Sequence, residues 1–275
     1  MHDRMITVGG YRLRILESGS GPAVLLLHGF AGSSEDWRGS VAWLAQAGYR
    51  AIAVDCLGFG RSEKPIQVRY SLELISDLYA ELLIRLGIEC ATVAAHSMGG
   101  KYALATALRY PQQINRLVLV ASDGFAPASP LSRVGGWPWI GTALMHLAAH
   151  PLLVRNMLSA AFYAPERHVT AALIEHAQAA LSGENRQALL TLSKHYAATD
   201  LHESGWRARL SELAIPCLLI WGEEDRIFPM PYAEIAAAEI PNAHLVRIPH
   251  CGHFPHIEQP RSFRGILAGF LAAGV

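Results

Sequence analysis

Apolar and polar residues alternate over Ile6–Val8 and Arg12–Glu17, then give way to unbroken apolar runs such as AVLLL and LVLVAS. Alternation fits strands with one wet face, whereas continuous runs fit strands buried on both faces. The pattern predicts strands over Ile6–Val8, Arg12–Glu17, Ala23–His28, Ala51–Asp55, Thr92–His96, Leu117–Ala121, Cys217–Trp221 and His244–Ile248. The first two are expected as an antiparallel edge pair. Between the strands lie helical patterns over Ser34–Ala47, Ser71–Leu86, Met98–Arg109, Tyr232–Ala238 and Gln259–Ala272. Strand alternating with helix implies an α/β architecture, a mostly parallel central sheet flanked by helices.

One interval breaks the rhythm. From Gly124 to Leu213 the chain is Ala- and Leu-rich, punctuated by Pro and Gly, with no strand pattern. A stretch that long is not a bare loop in a compact domain. It is expected to be a helical insertion over 124–210, with 1–123 and 211–275 forming the core domain. Ligands of open α/β sheets bind at strand carboxyl ends, where such an insertion would form a lid.

Composition narrows the function classes. The chain has 275 residues, 51% hydrophobic and 17% charged, with formal net charge +0. That composition excludes global disorder, and zero net charge argues against a nucleic-acid binder, whose affinity comes from a basic surface. The amino-terminal stretch lacks a secretory h-region, and no apolar run is long enough to span a bilayer. Cys56, Cys90, Cys217 and Cys251 are widely spaced without a CxxC pair, so free thiols and a cytoplasmic location are expected.

The chemistry concentrates at Val93-Ala94-Ala95-His96-Ser97-Met98-Gly99-Gly100. A buried-looking strand runs into Ser97 and a helix starts directly after it. A serine on such a strained turn needs small residues two positions to either side, here Ala95 and Gly99. Ala95 departs by one methyl group from the usual Gly-x-Ser-x-Gly. The helix amino terminus favours negative charge developing beside Ser97.

With these residues the chain resembles the α/β-hydrolase superfamily over essentially its whole length. The supporting stretches are His28-Gly29-Phe30, Asp55-Cys56-Leu57-Gly58-Phe59-Gly60-Arg61-Ser62, Gly222-Glu223-Glu224-Asp225-Arg226 and Cys251-Gly252-His253-Phe254. The resemblance implies an α/β-hydrolase fold with a helical cap, and a triad in the order Ser97, Asp225, His253. A serine hydroxyl is a poor nucleophile at neutral pH, so His253 would take its proton while Asp225 holds the imidazole in one tautomer. Asp123 is the alternative acid, as some relatives carry theirs after that strand. Glu223 and Glu224 read better as solvated loop charges. The resemblance also implies an oxyanion hole from the backbone N–H groups of Phe30 and Met98.

Other signals weigh less. His250, Cys251, His253 and His256 suggest a metal cluster, but Pro249, Gly252 and Pro255 prevent a helix that would align them; neither metal nor cofactor is expected. Gly99-Gly100-Lys101 lacks the remaining residues of a phosphate-binding loop. Lys101, a cation in a first helical turn, opposes the macrodipole; extension to solvent is the favoured reading, selection of an acidic substrate the other. His28 and His96 read as buried, hydrogen-bonded supports. The segment Asp55–Ser62 reads as a structural turn. Trp137, Trp139, Phe162 and Phe254 are candidates for the substrate pocket.

The leading expectation is a cofactor-independent serine hydrolase of carboxylic esters with small to medium apolar groups, acting as a monomer or homodimer on a small molecule. Hydrolysis of carbon–carbon bonds in vinylogous diketones is the alternative, since those enzymes look similar in triad and lid. They often carry Gly-Pro-Gly and Asn after the first His-Gly and Trp after the catalytic His, where this chain has Ala31-Gly32-Ser33 and Phe254. Lactones and thioesters remain open. Haloalkane dehalogenases and epoxide hydrolases look similar but use Asp where Ser97 stands. A small-molecule receptor that keeps the triad is the rival from another class.

Overall fold

Eight strands form one sheet in the order β1-β2-β4-β3-β5-β6-β7-β8, and its two ends differ in direction. The computed structural model describes residues 1–127 and 138–273. β1 (His2–Val8) and β2 (Tyr11–Ser18) pair antiparallel, from His2↔Glu17 to Val8↔Tyr11. β2 pairs antiparallel with β4 (Arg50–Val54). The remaining neighbours are parallel: β3 (Ala23–Leu27), β5 (Ala91–His96), β6 (Ile114–Val120), β7 (Cys217–Gly222) and β8 (Ala243–Ile248).

The expected strands all occur, with one boundary and one face different. β1 starts at His2 rather than Ile6, because ladder pairing with β2, not burial, holds the exposed residues His2 to Arg4. β2 is not wet on one face: Leu13, Arg14, Ile15 and Leu16 are all buried. Arg14 tolerates this because Asp3 and Glu35 accept its guanidinium hydrogen bonds at 2.8 and 2.5 Å and Asp55 lies 3.6 Å away. A buried charge survives only when paired in this way.

The pleat sorts each central strand between two cores. Leu25 and Leu27 of β3 face one, while Val24 and Leu26 face the other, as a period of two requires. The first core packs α2 (Leu72–Arg85) and α3 (Met98–Arg109) through Ile75, Tyr79, Tyr102 and Leu104. The second packs the helix α1 (Arg38–Gln46) and the carboxy-terminal helix through Val41, Leu44, Phe263 and Leu267. The helix expected over Ser34–Ala47 is split: Ser34–Trp37 forms a 3₁₀ turn, capped by Ser33 and Asp36, before α1 begins.

Between β6 and β7 the described residues contain helices and no strand. These are α4 (Pro138–Ala148), α5 (Pro151–Ala161), the single turn α6 (Pro165–His168), α7 (Ala171–Ala180), α8 (Gly183–Lys194) and the turn α9 (Tyr196–Thr199). A 3₁₀ stretch over Trp206–Glu212 leads back to β7. After β7 come α10 (Met230–Glu239), β8, the turn α11 (Pro255–Glu258) and α12 (Pro260–Ala272). Among the described residues no helix is long and apolar enough to cross a membrane. All four cysteines are free.

Candidate active site

Ser97 sits between β5 and α3 with φ 50° and ψ −121°, a backbone region that non-glycine residues rarely occupy. Its N–H donates to the Val120 carbonyl at 3.0 Å, and its own carbonyl accepts from Gly100 and Asp123 at 2.8 and 3.0 Å. These bonds hold the strained turn in place. The requirement for a small residue at position 99 is visible: a Cβ there would lie 2.7 Å from the His28 carbonyl oxygen.

The chain-distant partners converge on this turn. His253 Nδ1 is 2.8 Å from Asp225 Oδ2, and His253 Nε2 is 3.0 Å from Ser97 Oγ. A carboxylate only accepts, so Nδ1 carries the proton and Nε2 is left as the acceptor for the serine hydroxyl. Asp225 is fixed in turn, its Oδ1 accepting from the amides of Ile227 and Phe228 at 2.8 and 2.9 Å. Asp123 faces elsewhere: Oδ1 accepts from Gly124 N at 2.7 Å, and Oδ2 pairs with Lys101 at 3.1 Å. Of the two acids weighed from the sequence, only Asp225 reaches His253.

The loop bearing His253 is held on several sides. Its own amide donates to the Ala161 carbonyl at the end of α5, at 2.7 Å. Glu258 accepts from Gly252 N at 3.0 Å, Phe254 N at 3.1 Å and Tyr163 N at 2.7 Å, joining the loop to the helical segment. Glu224 accepts from Cys251 N at 2.9 Å, so it is a structural brace and not the solvated charge expected. Gly222 allows the loop to lie flat on β7, since a Cβ there would meet Gly252 O at 2.2 Å. His96 donates through Nε2 to the His253 carbonyl at 2.8 Å, because a carbonyl cannot donate. Burial, with His253 and His256 adding to it, holds His96 well below the usual histidine range, so it stays neutral. His28 takes the supporting role expected, bridging Gly29 O at 2.7 Å and Cys56 N at 2.9 Å.

Two apolar cavities meet at Ser97. One of about 730 Å³ lies under α4, α5 and α8 and includes Met98, Leu144, Met145 and Leu192. The other, about 410 Å³, includes His253, Phe162, Phe254 and Leu158. Phe30, Ser97, Met157 and Ile227 border both. In the smaller cavity Phe162 stacks on Phe254 at 4.8 Å. Burial pushes the Asp36 carboxyl on its wall above the usual range.

The remaining site residues fall as follows. Phe30 and Met98 flank Ser97, and among the described residues neither amide donates to a loop or turn carbonyl. Trp139 is 89% exposed and lines neither cavity. The inward face of α4 is set by Gly141, Leu144, Met145 and Ala148, and a residue two positions before Gly141 points to the opposite side. Trp137 lies outside the described residues. Lys101 does not extend to solvent; it is buried and faces the larger cavity. His250, Cys251, His253 and His256 diverge, with His250 against Tyr163 Oη at 3.2 Å and His256 stacked on Trp37 at 4.3 Å. Among the described residues no three His, Cys, Asp or Glu side chains gather at metal-binding distance.

Sequence reasoning missed Glu258 and misread Glu224, while His96 is the buried, hydrogen-bonded support expected, with a partner the sequence did not name. Glu224 and His96 act on partners 27 and 157 residues away, which only the assembled sheet supplies, whereas Glu258 braces Gly252 and Phe254 within its own loop and adds the distant Tyr163.

Comparison with known proteins agrees with this fold. A family model described as alpha/beta hydrolase fold matches residues 22–260. A 2-hydroxymuconate semialdehyde hydrolase of Pseudomonas putida is 32% identical over 278 residues, covering 98% of this chain and 94% of that protein. A 2-hydroxy-6-oxononadienedioate/2-hydroxy-6-oxononatrienedioate hydrolase of Burkholderia vietnamiensis is 32% identical over 267 residues, covering 94% and 91%. The structure of a meta-cleavage product hydrolase from Pseudomonas fluorescens superposes with a TM-score of 0.84 at 25% identity, covering 98% of this chain and 97% of that one.

Proposed function

The chain belongs to the alpha/beta hydrolase fold family, and we propose that within it the protein is a cofactor-independent serine hydrolase of carboxylic esters with an apolar acyl group. The observation that carries this reading is the hydrogen-bonded series Ser97–His253–Asp225 at the junction of two apolar cavities. Ser97 Oγ attacks the ester carbonyl as its proton passes to His253 Nε2, and Asp225 stabilises the imidazolium. The amides of Phe30 and Met98 take the tetrahedral oxyanion. His253 then protonates the departing alkoxide, and a water activated by the same nitrogen releases the acid from Ser97.

The proton transfers orient the substrate. A leaving group has to stand beside His253, which borders only the smaller cavity, so that cavity takes the alcohol and the larger takes the acyl chain. The described residues of the expected insertion, 124–127 and 138–210, serve as a cap over both, on the core formed by 1–123 and 211–273.

Cleavage of a carbon–carbon bond in a vinylogous diketone is the second reading, favoured by the names of the relatives at 32% identity. Charge weighs against it. A dioate such as the Burkholderia vietnamiensis relative is named for brings two carboxylates, and no arginine lines either cavity among the described residues. Lys101 is already neutralised by Asp123. The test compares p-nitrophenyl esters of graded acyl length with a ring-cleavage dienoate, in wild type and Ser97→Ala. Ester turnover well above dienoate turnover, abolished by Ser97→Ala, is expected; the reverse preference would move the assignment to carbon–carbon hydrolysis.

A further inference from the structure

The larger cavity is apolar almost throughout, yet its wall carries one buried ion pair that the triad does not use. Lys101 follows Ser97 by four residues on α3, which places the two about one helical turn, ~6 Å, apart on the same face. Lys101 Nζ lies 3.1 Å from Asp123 Oδ2, and its side chain is only 7% exposed. The rings of Tyr196 and Tyr102 flank the ammonium at 5.7 and 6.0 Å. Asp123 is rooted to the nucleophile's own turn through its amide bond to Ser97 O at 3.0 Å. A cation in a first helical turn opposes the macrodipole, and a buried ion pair is seldom better for stability than apolar residues of the same size. Its position beside Ser97 therefore calls for a role in binding.

We infer that the Lys101–Asp123 pair is a polar subsite that selects acyl groups bearing a hydroxyl a few bonds from the scissile carbonyl. The inference rests on the esterase reading given above. An ammonium has three N–H donors, and Asp123 is the one polar partner of Lys101 among the described residues. Asp123 Oδ2 keeps a lone pair beyond that contact. A hydroxyl both accepts and donates, so it bonds Lys101 Nζ and Asp123 Oδ2 together. A carboxylate would bring a second negative charge into an apolar cavity against a pair that is already neutral. A plain alkyl chain would leave the spare donors without a partner.

The test compares methyl hexanoate with methyl 3-hydroxyhexanoate and methyl 5-hydroxyhexanoate in wild type, Lys101→Met and the doubly neutral Lys101→Met/Asp123→Asn. Wild type is expected to prefer one hydroxylated ester by roughly tenfold or more in kcat/KM. In both variants the ratio of hydroxylated to plain ester should fall towards one. The ratio is insensitive to a general loss of folded enzyme, and the double variant leaves no unpaired buried charge. A wild-type ratio near one, or a ratio unchanged in both variants, would overturn the subsite. Calorimetric binding of hexanamide and its 3- and 5-hydroxy forms separates the two layers. Tighter binding of a hydroxylated amide without turnover of any ester would sink the esterase reading and keep the subsite, while equal binding of all three amides would sink the subsite.

Discussion

His96, the residue before Ser97, donates its Nε2–H to the carbonyl oxygen of His253 at 2.8 Å. The strand that delivers Ser97 thereby also sets the backbone position of His253, 157 residues further along than His96. Their rings lie 4.8 Å apart. His96→Phe keeps an aromatic ring and removes the bond, so the His253 loop should loosen. The expected result is a roughly tenfold lower kcat with KM little changed, read from steady-state kinetics on an ester substrate. A change in KM alone would place His96 in substrate contact instead.

Asp225 and Asp123 should separate cleanly in mutagenesis. Asp225→Asn offers an amide where His253 Nδ1–H needs an acceptor, favouring the wrong tautomer, and is expected to lower kcat by roughly 10³–10⁴. Asp123 does not contact His253, being tied to Lys101 and Gly124. Pre-steady-state acylation rates check the assignment, and a larger loss in Asp123→Asn than in Asp225→Asn would reverse it.

Glu258 is the point at which the helical segment and the His253 loop share one side chain. Replacing it with Ala strands the amides of Gly252, Phe254 and Tyr163. The Tyr163 amide is open to water, whereas the part-buried amides of Gly252 and Phe254 each cost about 1 kcal/mol or more when orphaned. Glu258→Ala should lower unfolding free energy by roughly 2–3 kcal/mol in urea titration. It should also lower kcat, since the base loses its footing. Glu258→Gln, which keeps one acceptor oxygen, should recover part of both.

His256 makes stability depend on pH. Both ring nitrogens are buried without a hydrogen-bond partner, and the ring stacks on Trp37 at 4.3 Å. Burial, helped by His253, pushes its pKa down to about 3 from the ordinary 6.5. The unfolded chain therefore binds a proton that the folded one refuses, and stability present above about pH 6.5 is lost as pH falls towards 3. His96, depressed in the same direction, adds to the loss. His256→Phe should flatten the acid side of a Tm-against-pH curve and raise Tm near pH 5. An unchanged slope would assign the acid sensitivity to other groups.

Much of the architecture and the site was legible in the sequence because it is written in local pattern. β3, β5 and β6 are short apolar runs alternating with helical patterns, the signature of parallel strands buried on both faces. Ser97 announced itself through Ala95 and Gly99, since a strained turn restricts its own neighbours. Lys101 misled, because helix position alone argues for solvent, and its partner Asp123 arrives from the end of a different strand. Trp139 misled for another reason: composition names an aromatic residue but not the face of α4 it occupies.

The sequence by itself thus determined the strand and helix order, the strained serine and the candidate acids and base, all set by interactions within a few residues. The tertiary structure alone decided that Asp225 rather than Asp123 meets His253, that Glu224 and His96 steady the loop, and that two cavities meet at Ser97. Those outcomes depend on sheet order and on how far loops travel between strands. Contacts across tens or hundreds of residues are closed by the packing of the whole core, and no local periodicity encodes them.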